Sequence, residues 1–98
     1  GEDMLFALIC TDKPNNLELR QQSRPDHLKF LEGLGSSLKA AGPFTDDEGK
    51  PTGSLVVIEA PNRAAIAEIA ARDPYAVVGL FASVEIKPWK WLIKNPEA

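Results

Sequence analysis

The only histidine of the chain lies where an apolar residue would be expected, on the inner face of a predicted helix. At about 100° of rotation per residue, Phe30, Leu31 and Leu34 fall within about 60° of His27. Asp26, Lys29 and Glu32 point the other way. An ionisable ring that faces a core is either a satisfied structural residue or a group with chemistry to perform, since an unpaired polar group is costly to bury.

A carboxylate takes the matching place on a second predicted helix. Asp73 continues the apolar stripe of Ile66, Ile69 and Ala70, and it precedes a proline, which makes it a helix-exit residue. If both helices lie on one face of a sheet and run nearly antiparallel, Asp73 can approach His27. The carboxylate would then fix the ring tautomer and leave the other nitrogen free to transfer a proton. A buried structural histidine and an ordinary helix-ending Asp–Pro turn stay open as alternatives.

Five further residues are candidates for substrate binding. Arg24, one helical turn before the histidine, could hold an anion through a bidentate contact. Ser54 could donate its hydroxyl to a ligand, and Tyr75 could close the cavity. Gly42 and Pro43 could shape its wall through their backbone geometry. Each of these residues also has an explanation that needs no ligand. Arg24 would be a surface arginine, Ser54 a strand-start residue and Tyr75 a packed aromatic ring, and Gly42 and Pro43 would form a simple bulge.

Signals for other chemistry are lacking. The sequence has no P-loop, no Rossmann glycine pattern and no serine elbow. One histidine and one cysteine make a poor transition-metal site. We therefore expect neither a metal nor an organic cofactor, and we expect Cys10 to be a small buried hydrophobic residue.

Size and charge limit the protein to a small set of classes. The 98 residues suffice for one domain, which we place at residues 4–98, and residues 1–3 are expected to be a cloning remnant. A net charge of −3 and the absence of long basic runs argue against nucleic-acid binding. Because no apolar stretch approaches 18 residues and no signal peptide is evident, we expect a soluble cytoplasmic protein without membrane contact.

The hydrophobic pattern predicts four strands and two helices in the order β-α-β-β-α-β. These are strands 4–11, 36–44, 54–60 and 82–89 and helices 17–34 and 62–73. We expect Pro25 to interrupt or restart the first helix, with Ser23 as the N-cap of the restart. Gly35 is a natural helix stop, and Asn62 is a plausible N-cap for the second helix. The stretch after Asp73 is expected to form a short turn or helix.

This order matches an α+β, ferredoxin-like split βαβ fold with a four-stranded antiparallel sheet. Two helices can cover only one face of such a sheet. The first and third strands, however, are apolar on both faces, which is typical of strands covered on both sides. A second copy of the same sheet is the economical cover. The pattern therefore predicts a homodimer with its sheets packed face to face.

The chain resembles the YciI-like (YCII-related) family from Met4 to about Trp89. The resemblance rests on RPDHLKFL, on AGPF followed by the polar turn DDEGKPTGS, and on ARDPYAVVGLF followed by EIKPW. It implies a ferredoxin-like fold that dimerises as an α/β barrel. It also implies a His–Asp active-site pair, which maps onto His27 and Asp73. At least one relative is a dehydrochlorinase acting on a chlorinated aromatic ring, and the fold is similar to that of muconolactone isomerases.

The leading hypothesis is a cofactor-free enzyme in which His27, oriented by Asp73, transfers a proton on a small anionic or aromatic substrate. Lyase or isomerase chemistry suits a single acid–base pair. The alternative is a non-catalytic dimeric module of the same fold that binds a metabolite or a partner protein. A cofactor-independent oxygenase is a third possibility, with no sequence feature of its own.

Overall fold

The four strands and the two longer helices follow one another in the order β-α-β-β-α-β, as the sequence predicts. The computed structural model describes residues 3–98, so the first two residues of the expected cloning remnant lie outside the described residues. The elements are β1 (Met4–Asp12), α1 (Leu17–Gly33), β2 (Leu38–Thr45), β3 (Pro51–Ala60), α2 (Arg63–Arg72), α3 (Pro74–Val77) and β4 (Phe81–Trp89). A 3-10 turn at Gly35–Ser37 joins α1 to β2.

The four strands form one antiparallel sheet in the order β2-β3-β1-β4, which is the α+β ferredoxin-like arrangement. The central positions of β1 and β3 explain why both are apolar on both faces. Their register pairs Cys10 with Ser54 and Ile9 with Leu55. Since side chains alternate along a strand, Cys10 and Ser54 face the helices and Ile9 and Leu55 face away.

The first helix is continuous, so the predicted interruption at Pro25 is wrong. The proline removes one intrahelical hydrogen bond, at a cost of roughly 3 kcal/mol in an ordinary helix interior. The buried face of α1 runs past it, from Arg20 to Leu31, and this packing on both sides of the proline holds the helix together. Ser23 lies on that buried face inside the helix and is not an N-cap. Gly35 follows the helix end with a φ of +58°, as its predicted role as a stop requires.

The edge strand β2 departs from regular pairing at both ends. Its register with β3 shifts between Leu38 and Ala40 and again between Phe44 and Thr45. Gly42 and Pro43 pair regularly with Leu55 and Ser54, so the bulge considered for these two residues is absent. Residues 36 and 37 of the predicted strand belong instead to the 3-10 turn. In the turn that follows β2, the Asp46 side chain accepts hydrogen bonds from two backbone amides.

The second helix begins and ends at polar side chains. The predicted N-cap Asn62 accepts a hydrogen bond from the backbone N–H of Ala65 at 2.8 Å. Asp73 lies between α2 and α3 and is both the C-cap of α2 and the N-cap of α3. The stretch after Asp73, which is expected to form a short turn or helix, forms α3.

The helices cover one face of the sheet. Phe6 and Leu8 of β1 form a single buried core with Leu31 of α1 and Ile66 of α2. On the opposite face, the segment that follows β4 returns to the edge strand β2, since the Lys39 ammonium contacts Glu97 at 2.5 and 2.8 Å.

Among residues 3–98, no helix has the length and apolar character needed to cross a membrane.

Candidate active site

His27 and Asp73 form a buried hydrogen-bonded pair. The distance from His27 Nδ1 to Asp73 Oδ1 is 2.8 Å, and both side chains are about 8% exposed. The histidine comes from the inner face of α1, and the carboxylate from the junction of α2 and α3. Their contact joins α1 to the junction of α2 and α3, across 46 residues of sequence.

The position of the Asp73 carboxylate is fixed from two sides. Besides the histidine, Oδ1 accepts the backbone N–H of Tyr75 at 2.9 Å, which caps α3. An ionised carboxylate can only accept, so the hydrogen of the neutral imidazole resides on Nδ1 and Nε2 keeps its lone pair. Within the described part of the chain, Nε2 has no hydrogen-bond partner, and no polar side-chain atom is both fully buried and unpaired. Nε2 is therefore accessible.

Tyr75 supports the histidine ring by stacking. The two ring centroids lie 3.9 Å apart with an interplanar angle of 16°, and Phe81 contacts the tyrosine edge-on at 5.9 Å. Tyr75 is only 2% exposed, and this burial raises the pKa of its phenol. The phenol therefore stays protonated at neutral pH. Its hydroxyl makes no hydrogen bond to residues 3–98, and Tyr75 lines the cavity described next.

A cavity of about 210 Å³ lies beside the histidine, between α1 and the β2–β3 hairpin. Six of the seven predicted site residues line it, and Asp73 stands behind His27. The full lining is Arg20, Gln21, Arg24, His27, Leu28, Leu31, Ala41, Gly42, Pro43, Pro51, Ser54, Val56 and Tyr75. Arg24 is exposed and has no ion-pair partner among the described residues. The structure thus brings the predicted residues together at one place.

Sequence reasoning missed a second polar cluster in the same cavity. Arg20 Nη1 donates to both carboxylate oxygens of Asp12 at 2.9 Å, and Nη2 donates to Ser54 Oγ at 2.6 Å. The Arg20 guanidinium also lies 4.7 Å from the centroid of the Tyr75 ring. Arg20 lies seven residues before His27 and therefore on the same face of the helix. Asp12 lies two residues after Cys10 and therefore on the same face of the strand. These two spacings are the sequence signals that could have identified the cluster.

The remaining reactive groups do not add a second site. Burial raises the pKa of the Cys10 thiol to about 12, and the nearby carboxylates of Asp73 and Asp12 act in the same direction. Cys10 is thus a poor nucleophile at neutral pH, in agreement with its expected role as a small hydrophobic residue. Over residues 3–98, no three His, Cys, Asp or Glu side chains lie close enough to hold a metal ion.

Two curated relatives are similar to nearly the whole chain. An uncharacterised protein of Haemophilus influenzae is 38% identical over 95 residues, which cover 89% of this chain and 97% of that protein. Protein YciI of Escherichia coli O6:H1 is 36% identical over 95 residues with the same coverage.

Solved structures share the fold. The 5-chloro-2-hydroxyhydroquinone dehydrochlorinase of Burkholderia phenoliruptrix AC1100, solved with 2,5-dihydroxybenzoquinone, superposes with a TM-score of 0.82. It is 30% identical and covers 89% of this chain and 94% of its own. A NIPSNAP family protein from Agrobacterium tumefaciens has a TM-score of 0.58 at 17% identity, with 97% and 98% coverage, and this likeness concerns the fold alone. The model of the YCII-related domain matches residues 4–90, and the chain belongs to the YCII-related domain family.

Proposed function

We propose that this chain is a cofactor-free enzyme that transfers a proton on a small anionic or aromatic molecule, in a lyase- or isomerase-type reaction. The observation that carries the proposal is the buried pair of His27 and Asp73 beside a cavity. Asp73 fixes the ring while Nε2 is left accessible, which is the arrangement that a general base needs.

The proposed step begins with substrate seated against His27. Nε2 takes a proton from a carbon or hydroxyl of the substrate, and the electron pair of that bond moves into the substrate. In an elimination the pair forms a double bond as the leaving group departs with its own electrons. In an isomerisation the imidazolium returns the proton at another atom. Asp73 stabilises the ring in its charged form during either reaction.

The lining of the cavity supports this substrate class. Leu28, Leu31 and Val56 offer an apolar wall suited to a ring, and Arg24 places a positive charge at the exposed rim. A volume of about 210 Å³ suits a small molecule. The dehydrochlorinase relative acts, by its name, on a chlorinated hydroxyhydroquinone, which is both aromatic and acidic.

The first test is turnover of chlorinated hydroxyhydroquinones, measured as chloride release, together with incorporation of solvent deuterium into hydroxylated aromatics and enols. His27→Gln should lower the rate by about 10²- to 10⁴-fold, which is the usual contribution of a general base. Lys29→Gln, an exposed change on the same helix, is the matched control and should keep the wild-type rate.

The outcomes separate the enzyme from the alternative module. If no compound turns over but hydroxylated aromatics perturb the NMR signals of the His27 ring, the cavity is a binding site without catalysis. Equal rates in wild type and His27→Gln would contradict the proposed base.

We also propose that two copies pack through the sheet face opposite the helices. Leu55 is 36% exposed on that face, beside Ile9, although β1 and β3 are central strands. Leu55→Asp should convert a dimer into a monomer in light scattering at matched protein concentration. Val77→Asp is the control, because Val77 is 71% exposed on α3, away from this face. A monomeric wild type would contradict the proposal.

A further inference from the structure

The Ser54 hydroxyl accepts a hydrogen bond within the protein but donates none. Its Oγ accepts from Arg20 Nη2 at 2.6 Å, and among residues 3–98 it donates to no acceptor. Ser54 is 2% exposed, and its accessible surface borders the same cavity as His27. We infer that the Ser54 hydroxyl donates a hydrogen bond to a phenolate- or enolate-type oxygen of the substrate. This inference rests on the proposed function, since it assumes that a substrate binds beside His27.

The sense of the Ser54 hydrogen bond follows from the chemistry of its partner. A guanidinium has donors and no acceptor, so Ser54 must accept from Arg20, and its own hydrogen is directed elsewhere. A hydroxyl that accepts from a cation becomes a stronger donor, because hydrogen bonds in a chain polarise one another. The hydrogen of this hydroxyl has no acceptor among residues 3–98, and a ligand in the cavity can supply one.

Asp12 makes Arg20 a positioning residue rather than an anchor for a carboxylate. Both oxygens of Asp12 accept from Nη1 at 2.9 Å, and the guanidinium rests near the face of Tyr75. The fork that would bind a substrate carboxylate is thus already occupied, and the pair is close to neutral overall. The Ser54 hydroxyl remains at this end of the cavity as a neutral, polarised donor. It suits a single oxygen that gains negative charge better than it suits a carboxylate.

This arrangement complements the base. When Nε2 of His27 removes a proton from a hydroxylated ring or an enolisable carbon, negative charge develops on a substrate oxygen. A preorganised donor stabilises that charge more than it stabilises the neutral substrate. His27 and Ser54 would then act on different atoms of one molecule, with Arg20 and Asp12 holding the serine in position.

The test uses two probes of similar shape, 4-nitrophenolate and nitrobenzene, which differ in the oxyanion. Absorption of 4-nitrophenolate shifts to shorter wavelength when its oxygen accepts a hydrogen bond, so binding and donation are both measured. Ser54→Ala should weaken 4-nitrophenolate binding by about 10- to 100-fold, abolish the shift and leave nitrobenzene binding unchanged. Ser54→Thr, which keeps a hydroxyl, should restore the shift. Arg20→Lys should reduce the shift although Ser54 is still present.

The results distinguish this inference from the proposed function. If 4-nitrophenolate binds Ser54→Ala as tightly as wild type and with the same shift, the inference is wrong, while chloride release still tests the base. If neither probe binds wild type, both the inference and the proposed ligand class are overturned. A crystal structure of wild type with 4-nitrophenolate needs no variant. We expect the phenolate oxygen about 2.5–3.0 Å from Ser54 Oγ, and a phenolate bound elsewhere would overturn the inference.

Discussion

Replacing Asp73 with alanine is expected to lower the free energy of unfolding by about 3 kcal/mol. One oxygen of this carboxylate accepts from His27 at 2.8 Å and from the Tyr75 backbone at 2.9 Å. Loss of the N-cap accounts for about 1 kcal/mol. Loss of a charged acceptor from a buried ring accounts for about 2 kcal/mol more.

The chain contains a matched control for the capping part. Asn62 caps α2 through its side-chain oxygen at 2.8 Å from Ala65 N and has no histidine partner. Asn62→Ala should therefore cost only about 1 kcal/mol. The difference between the two variants is then the contribution of the contact with His27.

The assay is urea unfolding followed by circular dichroism, with all variants at one protein concentration, because association would shift every midpoint. Asp73→Ala is also measured in a His27→Phe background, which keeps an aromatic ring on Tyr75. There the cost should fall to the capping value of about 1 kcal/mol. If Asp73→Ala costs the same in both backgrounds, the two side chains are not energetically coupled and the reasoning fails.

Three other perturbations test the neighbouring structure. Arg20→Leu should lower the free energy of unfolding in urea by about 3–5 kcal/mol, because it leaves Asp12 buried without a partner. The double variant Arg20→Leu/Asp12→Leu should be more stable than this single variant. A less stable double variant would contradict this explanation. The free energy of unfolding should fall as pH rises above 9, because the Cys10 pKa is raised from 9.0 to about 12 and the folded state therefore holds the proton more tightly than the unfolded state. Cys10→Ala should lose less stability between pH 9 and pH 11, and an unchanged alkaline slope would count against this cause. Gly53→Ala should be strongly destabilised in thermal melts, since a Cβ there would lie 2.2 Å from the Cys10 carbonyl oxygen, and a wild-type melting temperature would refute the close approach.

The site residues that can be predicted from the sequence are those that interrupt a regular pattern of apolar residues. His27 and Asp73 stand out because each interrupts an apolar stripe, and their facing follows from the same period that defines the helices. The apolar character of both faces of β1 and β3 likewise identifies the central strands of the sheet. Local patterns of this kind carry enough information to place a fold and a pair of side chains.

The part that escapes prediction depends on contacts between distant segments. Arg20 and Asp12 look like ordinary solvated charges, and only the folded chain places them beside Ser54. The predicted interruption of α1 at Pro25 is wrong for a related reason. The hydrogen bond that a proline removes from a helix can be foreseen from the sequence, whereas the tertiary packing that offsets its loss cannot.

The pairing of β1 with β3 determines how the length of this protein can vary. Because side chains alternate, inserting one residue within either strand would turn Ser54 or Cys10 to the opposite face of the sheet. The turn at residues 46–50 is exposed and contributes no side chain to the cavity. Insertions and deletions among relatives that keep this site should therefore accumulate in the turn and be absent from β1 and β3.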